Sequence, residues 1–122
     1  MPNDEDDFDL YIALKYLLKS GSMNVIDTAI NYRCQKAERT IGAVLRTLLT
    51  ENSSGDEEAL SRDEIFVSSK SGYVPEDSDA GISSAILLED LKEQGVISDL
   101  DVAAGIHCMH PGYLEHQLKA SQ

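Results

Sequence analysis

The sequence predicts an α/β fold with parallel strands that belong to a larger sheet. Helical and β-branched segments alternate along the chain, as they do where crossover helices join parallel strands. Two short apolar runs, 24–29 and 65–70, have the β-branched character of buried parallel strands. Two such strands alone would leave free edges and half-covered faces, so further strands are expected beside them.

Residues 1–9 are mostly acidic and read as a disordered lead. Leu10, Leu14, Leu17 and Leu18 then recur at helical spacing, and Gly21 marks the stop. The first strand follows as Asn24-Val25-Ile26-Asp27-Thr28-Ala29. The second helix has the clearest pattern, because Ala37, Ile41, Val44, Leu45 and Leu48 fall on one face and Lys36, Arg39 and Arg46 on the other. The polar stretch 51–64 reads as a solvated loop, after which Ile65-Phe66-Val67-Ser68-Ser69-Lys70 forms the second strand.

The Gly, Pro, Ser and Asp content of 71–79 marks a loop at the end of that strand, a place where ligands bind. A third helix is expected over 83–94, with Leu87 and Leu91 inward and Gly95 as its stop. The stretch 99–109 is ambiguous. Pro111 suits the first position of a fourth helix that carries Leu114 and Leu118.

The chain has 122 residues, 42% of them hydrophobic and 26% charged, enough for one domain with a real core. Its formal charge of −12 disfavours nucleic acid and anionic membrane as partners. The start is acidic where a targeting peptide would be basic or apolar, and no apolar run is long enough to span a bilayer, which together with the cysteines points to the cytoplasm. Cys34 and Cys108 lie far apart and form no CxxC pair, so no disulfide framework is expected. With His107 and His110 they match no standard zinc spacing, and no metal is expected.

Three polar residues stand at or just beyond the strand ends: Asp27, Tyr32 and Lys70. In a (β/α)8 barrel the carboxyl ends of the strands form the active-site face, so all three would converge there. Their chemistry agrees. A lysine ammonium beside a phenol makes the phenol a better proton donor, and an aspartate keeps that lysine charged. Reduction of a carbonyl needs a hydride at carbon and a proton at the developing alkoxide, and this trio suits the proton half.

The runs Ile26-Asp27-Thr28-Ala29, Tyr32, and Glu38-Arg39-Thr40-Ile41-Gly42 resemble the aldo-keto reductase pattern of I-D-T-A, Tyr, then E-x-x-I-G. Arg62-Asp63-Glu64-Ile65-Phe66-Val67-Ser68-Ser69-Lys70 is similar to the strand of that family that ends in lysine. Pro111-Gly112-Tyr113-Leu114-Glu115 resembles the helix before the family's fourth strand. The likeness runs in order over 21–122.

The resemblance implies a partial (β/α)8 barrel over 10–122, about two strands and four helices of it, and an NADPH- or NADH-dependent oxidoreductase that reduces an aldehyde or ketone. It implies three of the four members of a catalytic tetrad: Tyr32 as general acid, Lys70 beside it and Asp27 holding Lys70. The fourth is a histidine at the end of the next strand, which the chain does not reach; His107 and His110 precede the fourth helix and do not take its place. The family's first barrel strand would precede the first helix, and most of its cofactor contacts come from later strands. A truncated barrel that acts through protein binding is the alternative, with a protein partner or self-association at its exposed edges.

Overall fold

A computed structural model describes residues 4–51 and 60–122. Among these the chain is mixed α/β, in the order α1 (Asp4–Lys19), β1 (Val25–Asp27), α2 (Lys36–Glu51), β2 (Phe66–Ser68), α3 (Ser84–Glu93), β3 (Val102–Ala103), β4 (His107–Cys108) and α4 (Pro111–Ala120). The four helices match the expected number, and the strands include a short pair beyond the two anticipated. Most of the acidic loop over 51–64 lies outside the described residues. Its far end forms a single 3-10 turn, Arg62–Glu64, with Leu60 packed against the core.

Residues 4–9, expected as a disordered lead, are the first turns of α1. Asp4, Glu5, Asp6 and Asp7 occupy the end of the helix where the macrodipole favours negative charge. Ion pairs across to α2 add to this, since the Lys36 ammonium lies 2.9 Å from Asp4 and 3.4 Å from Asp7. At the other end Gly21 takes φ +69°, which closes the helix with bonds from the Gly21 and Ser22 N–H groups to the Leu18 and Leu17 carbonyls.

Leu14 and Leu18 of α1 meet Ile41, Val44 and Leu48 of α2 in a core that also takes Ile26 of β1 and Ile65, just before β2. The apolar face anticipated for α2 is therefore the buried one, while Leu17, expected inward on α1, faces solvent. The Tyr11 hydroxyl donates to Thr47 Oγ1 at 2.9 Å and ties the two helices together.

β1 and β2 pair in parallel, with Val25 opposite Phe66, Ile26 opposite Val67 and Asp27 opposite Ser68. The ladder continues past both strands, through Thr28 N–H to the Ser68 carbonyl at 2.8 Å and Ile30 N–H to the Lys70 carbonyl at 3.2 Å. Because side chains alternate between faces, Ile26 enters the helical side and the facing pair Val25 and Phe66 lies open, 53% and 65% exposed.

A second core gathers Val74, Leu88, Leu91, Ile97, Cys108 and Tyr113. Ser83 caps α3 by accepting the Ile86 N–H. Leu91 is inward as expected, and Leu88 is buried more deeply than Leu87. The stretch 99–109 resolves into one 3-10 turn and the β3–β4 hairpin, with Val102 opposite Cys108. Residues 72–74 run along β4, bonded from Cys108 N–H to the Gly72 carbonyl and from Val74 N–H to the Ile106 carbonyl, both at 2.8 Å.

Pro111 stands at the start of α4, as anticipated, and His110 caps it. Tyr113 and Gln117, one turn apart, are its buried residues; Leu118 is exposed. They face inward because the loop after β2 offers them backbone partners. Gln117 Oε1 accepts the Gly72 N–H at 2.8 Å, and its Nε2 donates to the Tyr73 carbonyl at 2.7 Å, which also accepts from the Tyr113 hydroxyl at 2.8 Å. Burial pushes the Tyr113 phenol well above its ordinary value, so it stays a neutral donor. Gly72 has φ +119°, and a Cβ there would come within 3.0 Å of the His107 ring.

Gln117→Leu leaves the Gly72 N–H buried without a partner. It should cost about 1–3 kcal/mol, measured by urea denaturation.

Candidate active site

The loops that leave β1 and β2 come together at the carboxyl end of the parallel pair, because the ladder keeps the two strands in register to their last residues. Lys70, two residues past β2, reaches back across the ladder. Its Nζ donates to Asp27 Oδ1 at 2.8 Å and to the Thr28 carbonyl at 2.9 Å. The same ammonium lies 5.3 Å from the centroid of the Tyr32 ring, within cation–π range. The structure thus brings together all three residues singled out in the sequence, and all three are exposed.

The pairing sets the charge states. The hydrogen bond from Lys70 is the main reason the Asp27 carboxyl is held below its ordinary range. The same bond, ahead of the charge of Asp27, holds the Lys70 ammonium above its ordinary value. Near neutral pH Asp27 is therefore an ionised carboxylate and Lys70 a charged ammonium.

Tyr32 is placed by an unusual turn. Arg33, Cys34 and Gln35 have φ of 51°, 54° and 72°, three successive non-glycine residues in the left-handed region. Such residues cost of order 1 kcal/mol each and persist where their surroundings hold them. Here Arg33 Nε donates to Asp7 Oδ1 at 3.0 Å, and Gln35 Nε2 donates to the Glu76 carbonyl at 3.4 Å. The Ala37 N–H bonds back to the Tyr32 carbonyl, so α2 begins directly out of the turn.

Two side chains from the run 38–42 hold the other loop. Arg39 grips Asp77 with both terminal nitrogens, at 2.8 and 2.6 Å, and reaches Asp79 at 2.7 Å. Glu38 accepts from Ser69 beside Lys70 and from Ser121 after α4. The sequence marked these residues for their resemblance and gave them no task. The aspartates held by Arg39 lie 38 and 40 positions along the chain and the serines bonded to Glu38 lie 31 and 83, separations that no local pattern reveals.

Beside Tyr32 an open groove of about 530 Å³ is lined by Val25, Asp27 and Thr28 with Leu10 and Leu14 of α1. Thr28 Oγ1 is buried without a hydrogen-bond partner among the described residues. The nearby cations Arg33, Lys36 and Arg39 each face aspartates.

The histidines have structural contacts of their own. The His107 ring meets Tyr73 edge-on at 5.0 Å, and His110 Nδ1 accepts the Gly112 N–H. Cys108 is buried in the second core and Cys34 is half-buried, its Sγ 3.9 Å from Glu76 Oε2. Among the described residues no group of three or more His, Cys, Asp or Glu could hold a metal ion, and no helix is long and apolar enough to cross a membrane.

No family model, curated protein or solved structure matches this chain.

Arg39 holds the Asp77 carboxyl down at about 2. Asp77 thus ionises more readily in the folded chain than in the unfolded one, and its contribution to stability is complete above about pH 4. That contribution is lost as the pH falls toward 2. Thermal melts followed by circular dichroism should show Asp77→Asn less stable than the parent at neutral pH, with the difference shrinking between about pH 4 and about pH 2.

Proposed function

We propose that this chain is part of a (β/α)8 barrel of the aldo-keto reductase kind, and that Asp27, Tyr32 and Lys70 form the proton-donating part of a carbonyl-reducing site. One observation carries the reading: Lys70 bonds Asp27 at 2.8 Å while its ammonium lies over the Tyr32 ring. Two parallel strands, helices on one of their faces and a polar trio at their carboxyl ends agree with it.

Tyr32 is the general acid in this reading. An ammonium beside the phenol stabilises the negative charge that proton donation leaves on its oxygen. Asp27 and the Thr28 carbonyl fix Lys70 in position, and Asp27 keeps it charged. The substrate is an aldehyde or ketone whose oxygen comes within hydrogen-bond reach of the Tyr32 hydroxyl. NADPH or NADH supplies the hydride in enzymes of this kind. The part assigned to this chain's residues is to hold and donate the proton.

A second reading, that of a non-catalytic barrel piece acting through protein binding, is favoured by the open face at Val25 and Phe66. Incubation with NADPH and small aldehydes separates the two. The first reading predicts loss of NADPH absorbance, and a drop of about 10²-fold or more in Tyr32→Phe with quenching of NADPH fluorescence unchanged. Full turnover by Tyr32→Phe would remove it as the acid, and neither turnover nor quenching in the parent protein would leave the second reading.

A further inference from the structure

The segment that carries Tyr32 spans two fixed points. On one side Ile30 is buried and bonded to the Lys70 carbonyl at the end of the ladder; on the other Ala37 is buried in the first turn of α2. Tyr32 itself is 46% exposed, so packing alone does not hold its ring beside Lys70. Its place is set by the backbone between those points, which runs through Arg33, Cys34 and Gln35, all in the left-handed region. None of these residue types favours that region. Relaxation of the run toward ordinary dihedrals, with both ends fixed, would carry Tyr32 away from Lys70.

One carboxylate of α1 grips the run at both ends. Asp7 Oδ1 accepts from Arg33 Nε at 3.0 Å and lies 2.9 Å from its Nη2, while Asp7 Oδ2 lies 3.4 Å from the Lys36 ammonium. Arg33 is the first residue of the left-handed run and Lys36 the first beyond it. With one oxygen on each, the carboxylate sets the span of the turn. The Asp7 side chain is 18% exposed and that of Arg33 28%, so water and salt screen this pair less than one in open solvent. Asp4, at the same helix end, also bonds Lys36, but from a side chain that is 97% exposed.

We propose that Asp7 is a positioning residue for Tyr32: by gripping Arg33 and Lys36 it holds the left-handed turn that keeps the Tyr32 ring beside the Lys70 ammonium. The acidic start of α1 then serves the site as well as the helix. The consequence for catalysis rests on the carbonyl-reducing reading; the placement of Tyr32 does not.

The through-space NMR contact between the Tyr32 ring and the Lys70 ε-methylene, followed in the full chain, tests the placement directly. The parent should show it, Asp7→Ala should lose most of it with the circular dichroism of the helices unchanged, and Asp4→Ala should keep it. Cys34→Asn added to Asp7→Ala should recover it, because asparagine enters the left-handed region more readily than cysteine. In turnover of NADPH with an aldehyde, Asp7→Ala should lower kcat about tenfold or more with KM unchanged, as a misplaced proton donor would. A parent without the contact, a contact as strong in Asp7→Ala as in the parent, equal loss in Asp4→Ala, or no recovery with Cys34→Asn would overturn the proposal. A parent that shows the contact and the predicted variant pattern without turnover would remove the carbonyl-reducing reading and leave the role of Asp7 standing.

Discussion

The parallel pairing of β1 and β2 is the constraint on which the rest of the molecule depends. Three residues from each strand set the register, and the ladder runs on through Thr28 and Ile30 into the loops. A slip of one residue would turn Ile26 out of the core and carry Lys70 away from Asp27. Because the pairing holds to the strand ends, a lysine from one loop and a carboxylate from the other meet without either strand being distorted.

The two cores share the work of holding that junction. The first presses α1 and α2 on one face of the sheet and fixes the strands. The second anchors the loop that leaves β2, through the hydrogen bonds of Gln117 and Tyr113 to Gly72 and Tyr73 and through the pairing of residues 72–74 with β4. The Arg39 contacts with Asp77 and Asp79 cross between them. Lys70 therefore sits on a short span of backbone, tied to the ladder on one side and to a packed hairpin on the other.

Much of this was legible in the sequence where patterns are local. The face of α2, the stop of α3 and the proline that starts α4 each follow from spacing or from one residue's backbone preference. The Asp27, Tyr32 and Lys70 constellation was readable because each residue stands at or just beyond a strand end. Other features depend on partners distant in the chain. Gln117 is buried because backbone groups 44 and 45 positions earlier need it, and no helical period announces a buried glutamine. The acidic start was read as a lead because its charges look solvated; its helix is secured by Lys36 and Arg33, some 30 residues on. The left-handed run of Arg33, Cys34 and Gln35 carries no glycine or asparagine signal at all.

The pairing of Lys70 with Asp27 joins the fold to the proposed chemistry, and it can be read directly. Carbon-detected NMR titration of the Asp27 carboxyl, in the parent protein and in Lys70→Met, measures what the ammonium does to it. The account predicts that Asp27 titrates below the ordinary carboxylate range in the parent and returns upward in the variant. Identical titration in the two proteins would contradict it, because Lys70 would then not be held at the end of the β1–β2 ladder.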